Sequence, residues 1–142
     1  MSWFECKLTY EKEINQEGKM KKVTESYLVD AMSFTEAEAR MAAEVESRGT
    51  FVMDNIRKVR IAEVFLDESG DRFYKVKVGF ITLDEKAGVE KKKYSQMLVQ
   101  ANDLDGALER FEKGMSGTLA DYEVAAVTET SLMDVLPHEV PK

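Results

Sequence analysis

The side chains best able to do chemistry in this chain are few, and their spacing argues against a catalytic centre. His138 is the only histidine, set between Pro137 and Glu139. A general base or a metal ligand needs an imidazole held by its surroundings, and this position predicts an incidental ring. Cys6 is the only cysteine and shares the parity of Phe4, Leu8 and Tyr10, so it reads as a small buried hydrophobe rather than a nucleophile. Asp67-x-Ser69-x-Asp71 opens like a calcium loop, but Val78 stands where the twelfth-position bidentate Glu belongs. Gly114-Met115-Ser116-Gly117-Thr118 resembles a phosphate cradle, yet it follows a helix pattern, which puts its amides at the wrong end of the dipole. The acid pairs (Asp84 and Glu85, Glu36 and Glu38, Glu44 and Glu46) fall in loops or on solvated helix faces. They lack the difference in burial that separates a general acid from a base. No catalytic, cofactor-binding or metal-ligating residue is expected, and no cofactor. An enzyme is the third-ranked class.

The one chemical pattern with a function attached combines cations and aromatics. Trp3, Lys7, Phe73, Lys75 and Lys77 fall on the strand face opposite the apolar one. Bases stack and phosphates pair on such a face in single-strand nucleic-acid binders. Lys19, Lys21, Lys22 and Lys91, Lys92, Lys93 enter the second strand of each half, and Arg57, Lys58 and Arg60 lie on the third. Lysines on sheet faces and edges also solubilise them and block edge-to-edge association, and Glu5, Glu25 and Glu90 dilute the patch. The net charge is −7. Residues 1–70 hold 10 basic and 14 acidic residues, and residues 71–142 hold 10 and 13, so neither half is a basic arm. Long-range attraction to nucleic acid is therefore not expected, and any such site must be local.

The elements that would position these residues come from an internal repeat at an offset of about 70 residues. Trp3-Phe4-Glu5-Cys6-Lys7-Leu8-Thr9-Tyr10 aligns with Phe73-Tyr74-Lys75-Val76-Lys77-Val78-Gly79-Phe80. Gly18 aligns with Gly88, Leu28-Val29-x-Ala31 with Leu98-Val99-x-Ala101, and Gly49-Thr50 with Gly117-Thr118. Each half reads as strand, strand, helix, strand. The first strands alternate at period two, with Phe4, Cys6, Leu8 and Tyr10 inward in one and Tyr74, Val76, Val78 and Phe80 in the other. Ser33 with Glu36 forms a capping box, and Asp103 caps the second helix. Phe34, Ala37, Met41 and Val45 make one apolar helix stripe; Leu104, Ala107, Leu108, Phe111 and Met115 make the other. Gly49 and Gly117 stand where helix ends favour a left-handed residue. The third strands are expected over about 55–66 and 122–134.

The expected fold class is therefore α+β: tandem duplicated ββαβ units, about 3–66 and 73–136, in one pseudo-twofold domain. Strand three pairs antiparallel with strand one, and an antiparallel or mixed sheet carries both helices on one face. Phe4, Leu8, Tyr74, Val76, Val78, Met41, Phe111 and Leu108 should share one core, and residues 137–142, with both prolines, should be a loose tail. The 142 residues, 44% hydrophobic and 33% charged, suit a globular chain. A single cysteine suits a reducing compartment. No signal peptide or membrane span is expected, which predicts a cytoplasmic protein.

Several stretches resemble a known family. Trp3-Phe4-Glu5-Cys6-Lys7, Lys21-Lys22-Val23-Thr24-Glu25, Tyr27-Leu28-Val29-Asp30-Ala31 and Ser33-Phe34-Thr35-Glu36-Ala37-Glu38-Ala39-Arg40 are similar to an uncharacterised family of Bacteroidetes bacteria and their phages, catalogued as domain of unknown function 4494. Phe80-Ile81-Thr82-Leu83-Asp84-Glu85-Lys86, Met97-Leu98-Val99-Gln100-Ala101 and Val127-Thr128-Glu129-Thr130 fit it as well. The resemblance covers nearly the whole chain. It implies a bacterial or phage-borne intracellular protein and carries no activity, ligand or site residue with it. The expected function is a non-enzymatic binding or accessory protein acting as a protein-interaction module, through an unknown protein partner or self-association. The alternative is single-stranded nucleic-acid binding.

Overall fold

The computed structural model describes residues 2–13 and 15–138, an α+β fold with two helices and two mixed sheets of four strands each. In chain order the elements are β1 (Ser2–Glu13), β2 (Met20–Ala31), α1 (Phe34–Val45), β3 (Phe51–Val59), β4 (Glu63–Phe65), β5 (Arg72–Asp84), β6 (Val89–Ala101), α2 (Leu104–Gly114), β7 (Asp121–Glu129) and β8 (Leu132–Leu136). The sheets are ordered β3-β1-β2-β8 and β4-β6-β5-β7.

Two compact units follow. Unit 1 is the chain up to Arg60 together with the stretch from Ser131; unit 2 is Ile61–Thr130. Each sheet thus takes its fourth strand from the other half of the sequence. β8 pairs parallel with β2, and β4 pairs parallel with β6. This corrects the expected unbroken third strands. β3 stops pairing with β1 at Val59, and Ala62 N then donates to Gln96 O at 2.8 Å to open the β4–β6 pairing. Thr130 closes β7 by donating its N and its Oγ1 to Phe73 O, at 2.9 and 2.8 Å.

In unit 1, alternation along β1 buries Phe4, Cys6 and Leu8 against Ala37, Met41 and Val45 of α1. Positions four apart share a helix face, so these three form one stripe. Ser33 Oγ accepts from Glu36 N at 3.1 Å, which is the cap half of the expected capping box, while Glu36 Oε2 reaches one residue further, accepting from Met32 N at 3.4 Å. Phe34 opens the helix half-exposed, its ring edge-on to Phe4 at 4.9 Å.

In unit 2, Val76 and Val78 of β5 pack with Met97, Val99, Phe111 and Met115, while Tyr74 joins Ala101 and Ala107. Asp103 Oδ1 caps α2 by accepting from Gly106 N at 2.7 Å. Gly49 and Gly117 follow the helical segments with φ of 97° and 90°, a region that costs any residue with a Cβ.

The expected single sheet is replaced by two. Phe4, Leu8 and Met41 belong to one buried cluster, Val76, Val78 and Phe111 to another, and Tyr74 to a third. Leu108 is half-buried. The reason lies in hydrogen bonding. β1 is flanked by β3 and β2, and β5 by β7 and β6, so neither central strand has a free edge with which to join the other. Of the expected loose tail, residues 139–142 lie outside the described residues.

Candidate functional site

The residues proposed for a nucleic-acid face are divided between the two units. Trp3 and Lys7 are on β1 in unit 1; Phe73, Lys75 and Lys77 are on β5 in unit 2. Phe73 is 3% exposed. Leu28 and Leu98, on the strand face turned away from the helices, are buried as well. Single apolar positions on the second face of these strands are therefore covered, which a period-two pattern with one wet face does not anticipate. Trp3 and Lys75 are half-buried, and Lys7 and Lys77 are exposed. Several neighbouring cations already face acids: Arg57 with Glu5 at 3.0 Å, Lys91 with Asp84 at 3.0 Å and Lys92 with Glu123 at 2.6 Å.

The other sequence candidates fall as the residue patterns suggest. Burial pushes the Cys6 thiol from its usual 9.0 up to about 11, with Glu5 adding to the shift. His138 is exposed. In the Asp67–Asp71 turn, Asp67 Oδ1 accepts from Ser69 N and Oγ at 2.8 and 2.6 Å, and its other oxygen pairs with Arg110. Its carboxylate is thus engaged in holding the turn.

The structure assembles a polar network in unit 1 that sequence reading missed. Glu25, on β2, is 7% exposed and is the only buried charged residue among those described. Its Oε1 lies 3.4 Å from Arg48 Nη1, which also donates to the hydroxyl of Tyr27. The Arg48 guanidinium stands over the Tyr27 ring, 5.7 Å from its centroid. The hydroxyl of Tyr10, on β1, is pushed above its usual value chiefly by hydrogen bonding toward the Glu25 carboxylate. The Tyr27 hydroxyl is raised chiefly by burial. The bond to Tyr27 in turn holds the proton on Arg48 more firmly. A signal was present in the chain: Glu25 has the parity of Tyr27, Val29 and Ala31, the inward face of β2.

Beside this network an open cleft of about 670 Å³ is bounded by Thr9, Tyr10, Met20, Arg48, Phe51 and Val52, with Glu11, Lys22 and Asp54 among the remaining residues. Met20 and Val52 are more than half exposed or close to it, at 50% and 61%. Asp54 accepts from the hydroxyl of Thr9, and Glu11 stands opposite Lys22 in the β1–β2 register. The volume and the mix of apolar wall with a few polar groups are those of a ligand cleft.

Unit 2 provides an internal comparison. Tyr27 opposes Cys6 and Glu25 opposes Leu8 across β1–β2; in the same way Met97 opposes Val76 and Ser95 opposes Val78 across β5–β6. Tyr10 opposes Phe51 as Phe80 opposes Tyr122, and Arg48 precedes Gly49 as Ser116 precedes Gly117. Where unit 1 has Tyr10, Glu25, Tyr27 and Arg48, unit 2 therefore has Phe80, Ser95, Met97 and Ser116. Aromatic rings fill that place: Phe80 and Phe111 lie 6.4 and 5.9 Å from Tyr122. An equivalent sheet and helix close without any buried charge, so the network of unit 1 is not a requirement of the architecture.

The class of protein defined here is an α+β chain of two four-stranded mixed sheets, one of whose units carries a charged cleft. The profile of the family described as "Domain of unknown function (DUF4494)" matches residues 2–138, and the chain belongs to that family. No curated protein and no solved structure matches it. No described helix is long and apolar enough to cross a membrane.

Proposed function

We propose that the protein is a non-enzymatic, cytoplasmic binding module that docks a protein partner in the cleft of unit 1. The observation that carries this reading is the open cleft of about 670 Å³, whose lining includes exposed Met20 and Val52 as well as an arginine held by a buried glutamate. Exposed apolar side chains beside a fixed guanidinium are the usual composition of a docking surface, because arginine and apolar anchors dominate binding energy. The buried thiol at Cys6 and the exposed His138 favour binding over catalysis, since neither is a prepared nucleophile or base.

The test is site-specific photo-crosslinking in cells that naturally carry the gene, with the crosslinker placed at Val52 or, as a control, at Lys77 in unit 2. A protein adduct formed from position 52 and not from position 77 is the expected result. Adducts of equal yield from both positions would defeat the reading.

We further propose that the two units descend from a duplication. The two halves of the sequence each run strand, strand, helix, long strand, short strand, and the two sheets carry corresponding strands in corresponding order.

A second reading, single-stranded nucleic acid on unit 2, is supported by Tyr94 in place of Phe73. The Tyr94 ring lies across Gly79, where a Cβ would come within 3.1 Å of it, and the Lys77 ammonium sits 4.6 Å from the ring centroid. A labelled oligonucleotide titrated at two salt concentrations tests it. Binding and a salt slope that both fall in Lys75→Ala/Lys77→Ala are expected on this reading, and equal values for both proteins remove it.

A further inference from the structure

We infer that the cleft of unit 1 selects a carboxylate, and that Arg48 is the residue that grips it. The inference rests on the docking reading and names the chemistry of the docked segment: a peptide whose carboxylate is flanked by apolar side chains.

The argument begins with the donors of Arg48. A guanidinium carries five N–H groups in a planar fork that matches a carboxylate in a bidentate way. Only Nη1 is engaged, by Glu25 Oε1 at 3.4 Å and by the Tyr27 hydroxyl. Nε and Nη2 make no hydrogen bond among the described residues, and the side chain, 37% exposed, lines the cleft. Glu25 and Tyr27 therefore act as positioning residues. They fix the plane of the guanidinium from one side and leave its remaining donors for a ligand, as an outer shell orients a binding group.

Cost supports the same conclusion. A buried carboxylate is expensive to desolvate and seldom adds stability over a well-packed apolar group. Unit 2 uses Ser95, Met97 and Ser116 at the matching places, so the fold has an uncharged solution available. Departures from a fold's own pattern of this kind concentrate at functional sites.

The other charged side chains of the cleft are Lys22 and the acids Glu11 and Asp54. Asp54 accepts from Thr9, and Glu11 stands across from Lys22. Met20 and Val52 supply the surface for the apolar flank of the segment.

The experiment selects binders to the intact protein from a random peptide library displayed on phage. The selected peptides are then synthesised and titrated by calorimetry against the parent, Val52→Asp and Arg48→Lys. Three further forms of each peptide are made: Asp or Glu changed to the amide, the C-terminus amidated, and both. We expect peptides that bind the parent, fail to bind Val52→Asp, and weaken about tenfold to a hundredfold when their carboxylate is removed. The single exchanges separate a side-chain carboxylate from a terminal one. Arg48→Lys, which keeps the charge and loses the fork, should weaken binding as well. Peptides that need Val52 but bind equally well without any carboxylate would overturn the inference and leave the docking reading standing. No peptide binding at all, or binding indifferent to Val52→Asp, would overturn both. The peptide-side exchanges keep the test decisive even if Arg48→Lys proves poorly folded.

Discussion

Arg48 Nη1 lies 3.4 Å from Glu25 Oε1, an ion pair in which the carboxylate is buried and the guanidinium reaches a cleft. The two partners are unequal. Glu25 depends on Arg48 for its neutralisation, whereas Arg48 keeps donors to spare. The pair can therefore be tested for stability separately from binding.

Arg48→Ala should destabilise the protein by about 2–3 kcal/mol, because it leaves a buried carboxylate unpaired; the partial exposure of Arg48 keeps the cost below that of a fully buried pair. Replacing both partners, as Glu25→Leu/Arg48→Met, should recover all but about 1 kcal/mol. Urea denaturation midpoints of the parent, the single variant and the double variant decide it. A double variant no more stable than Arg48→Ala would contradict the account.

Gly70 is predicted to be irreplaceable for lack of space. It is buried in the Asp67–Asp71 turn, where Gln100 accepts from Asp67 N at 3.0 Å and donates to Gly70 O at 2.9 Å. A Cβ there would meet Ala101 N at 2.7 Å and Ala101 Cα at 2.8 Å, both rigid backbone. Gly70→Ala should cost about 1–3 kcal/mol, the usual range for overpacking. A thermal midpoint equal to the parent's would show that the turn relaxes freely.

Phe111, fully buried on α2, touches Phe65 and Tyr122 edge-on, at 6.3 and 5.9 Å between centroids. Phe111→Ala should cost about 3–5 kcal/mol, since it leaves a cavity where an aromatic ring was. Melting of the variant at the parent's temperature would mean that α2 is not held by this side chain.

Cys6 should make the protein sensitive to alkali. Its folded thiol is raised from 9.0 to about 11, so the unfolded chain ionises first as pH rises. The contribution is fully present below pH 9 and is lost as pH climbs through about 11. The raised hydroxyls of Tyr10 and Tyr27 act in the same direction above about pH 10. Cys6→Val, which reproduces the residue at Val76, should keep the fold and flatten the decline in thermal midpoint between pH 9 and pH 11. An unchanged slope in the variant would assign the alkaline loss to the tyrosines alone.

What the chain determined by itself is local. Period-two alternation placed Phe4, Cys6 and Leu8 inward on β1, and Val76 and Val78 inward on β5. The helix starts at Ser33 and Asp103 and the glycines at 49 and 117 followed from caps and sterics acting within a turn or two. The antiparallel pairing of the third strand with the first was legible for the same reason, since helix length and crossover handedness limit where that strand can return. Tertiary structure alone decided which strand completes each sheet. The pairings of β8 with β2 and of β4 with β6 join segments far apart in sequence, and no local preference distinguishes them from a continuation of β3 or β7. It also decided the burial of Phe73, because alternation assigns a side chain to a face without saying whether that face is covered. The cleft belongs to the same class. Tyr10, Glu25, Tyr27 and Arg48 lie on three separate elements or loops, and their hydrogen bonds exist only once β1, β2 and the end of the helical segment have packed together.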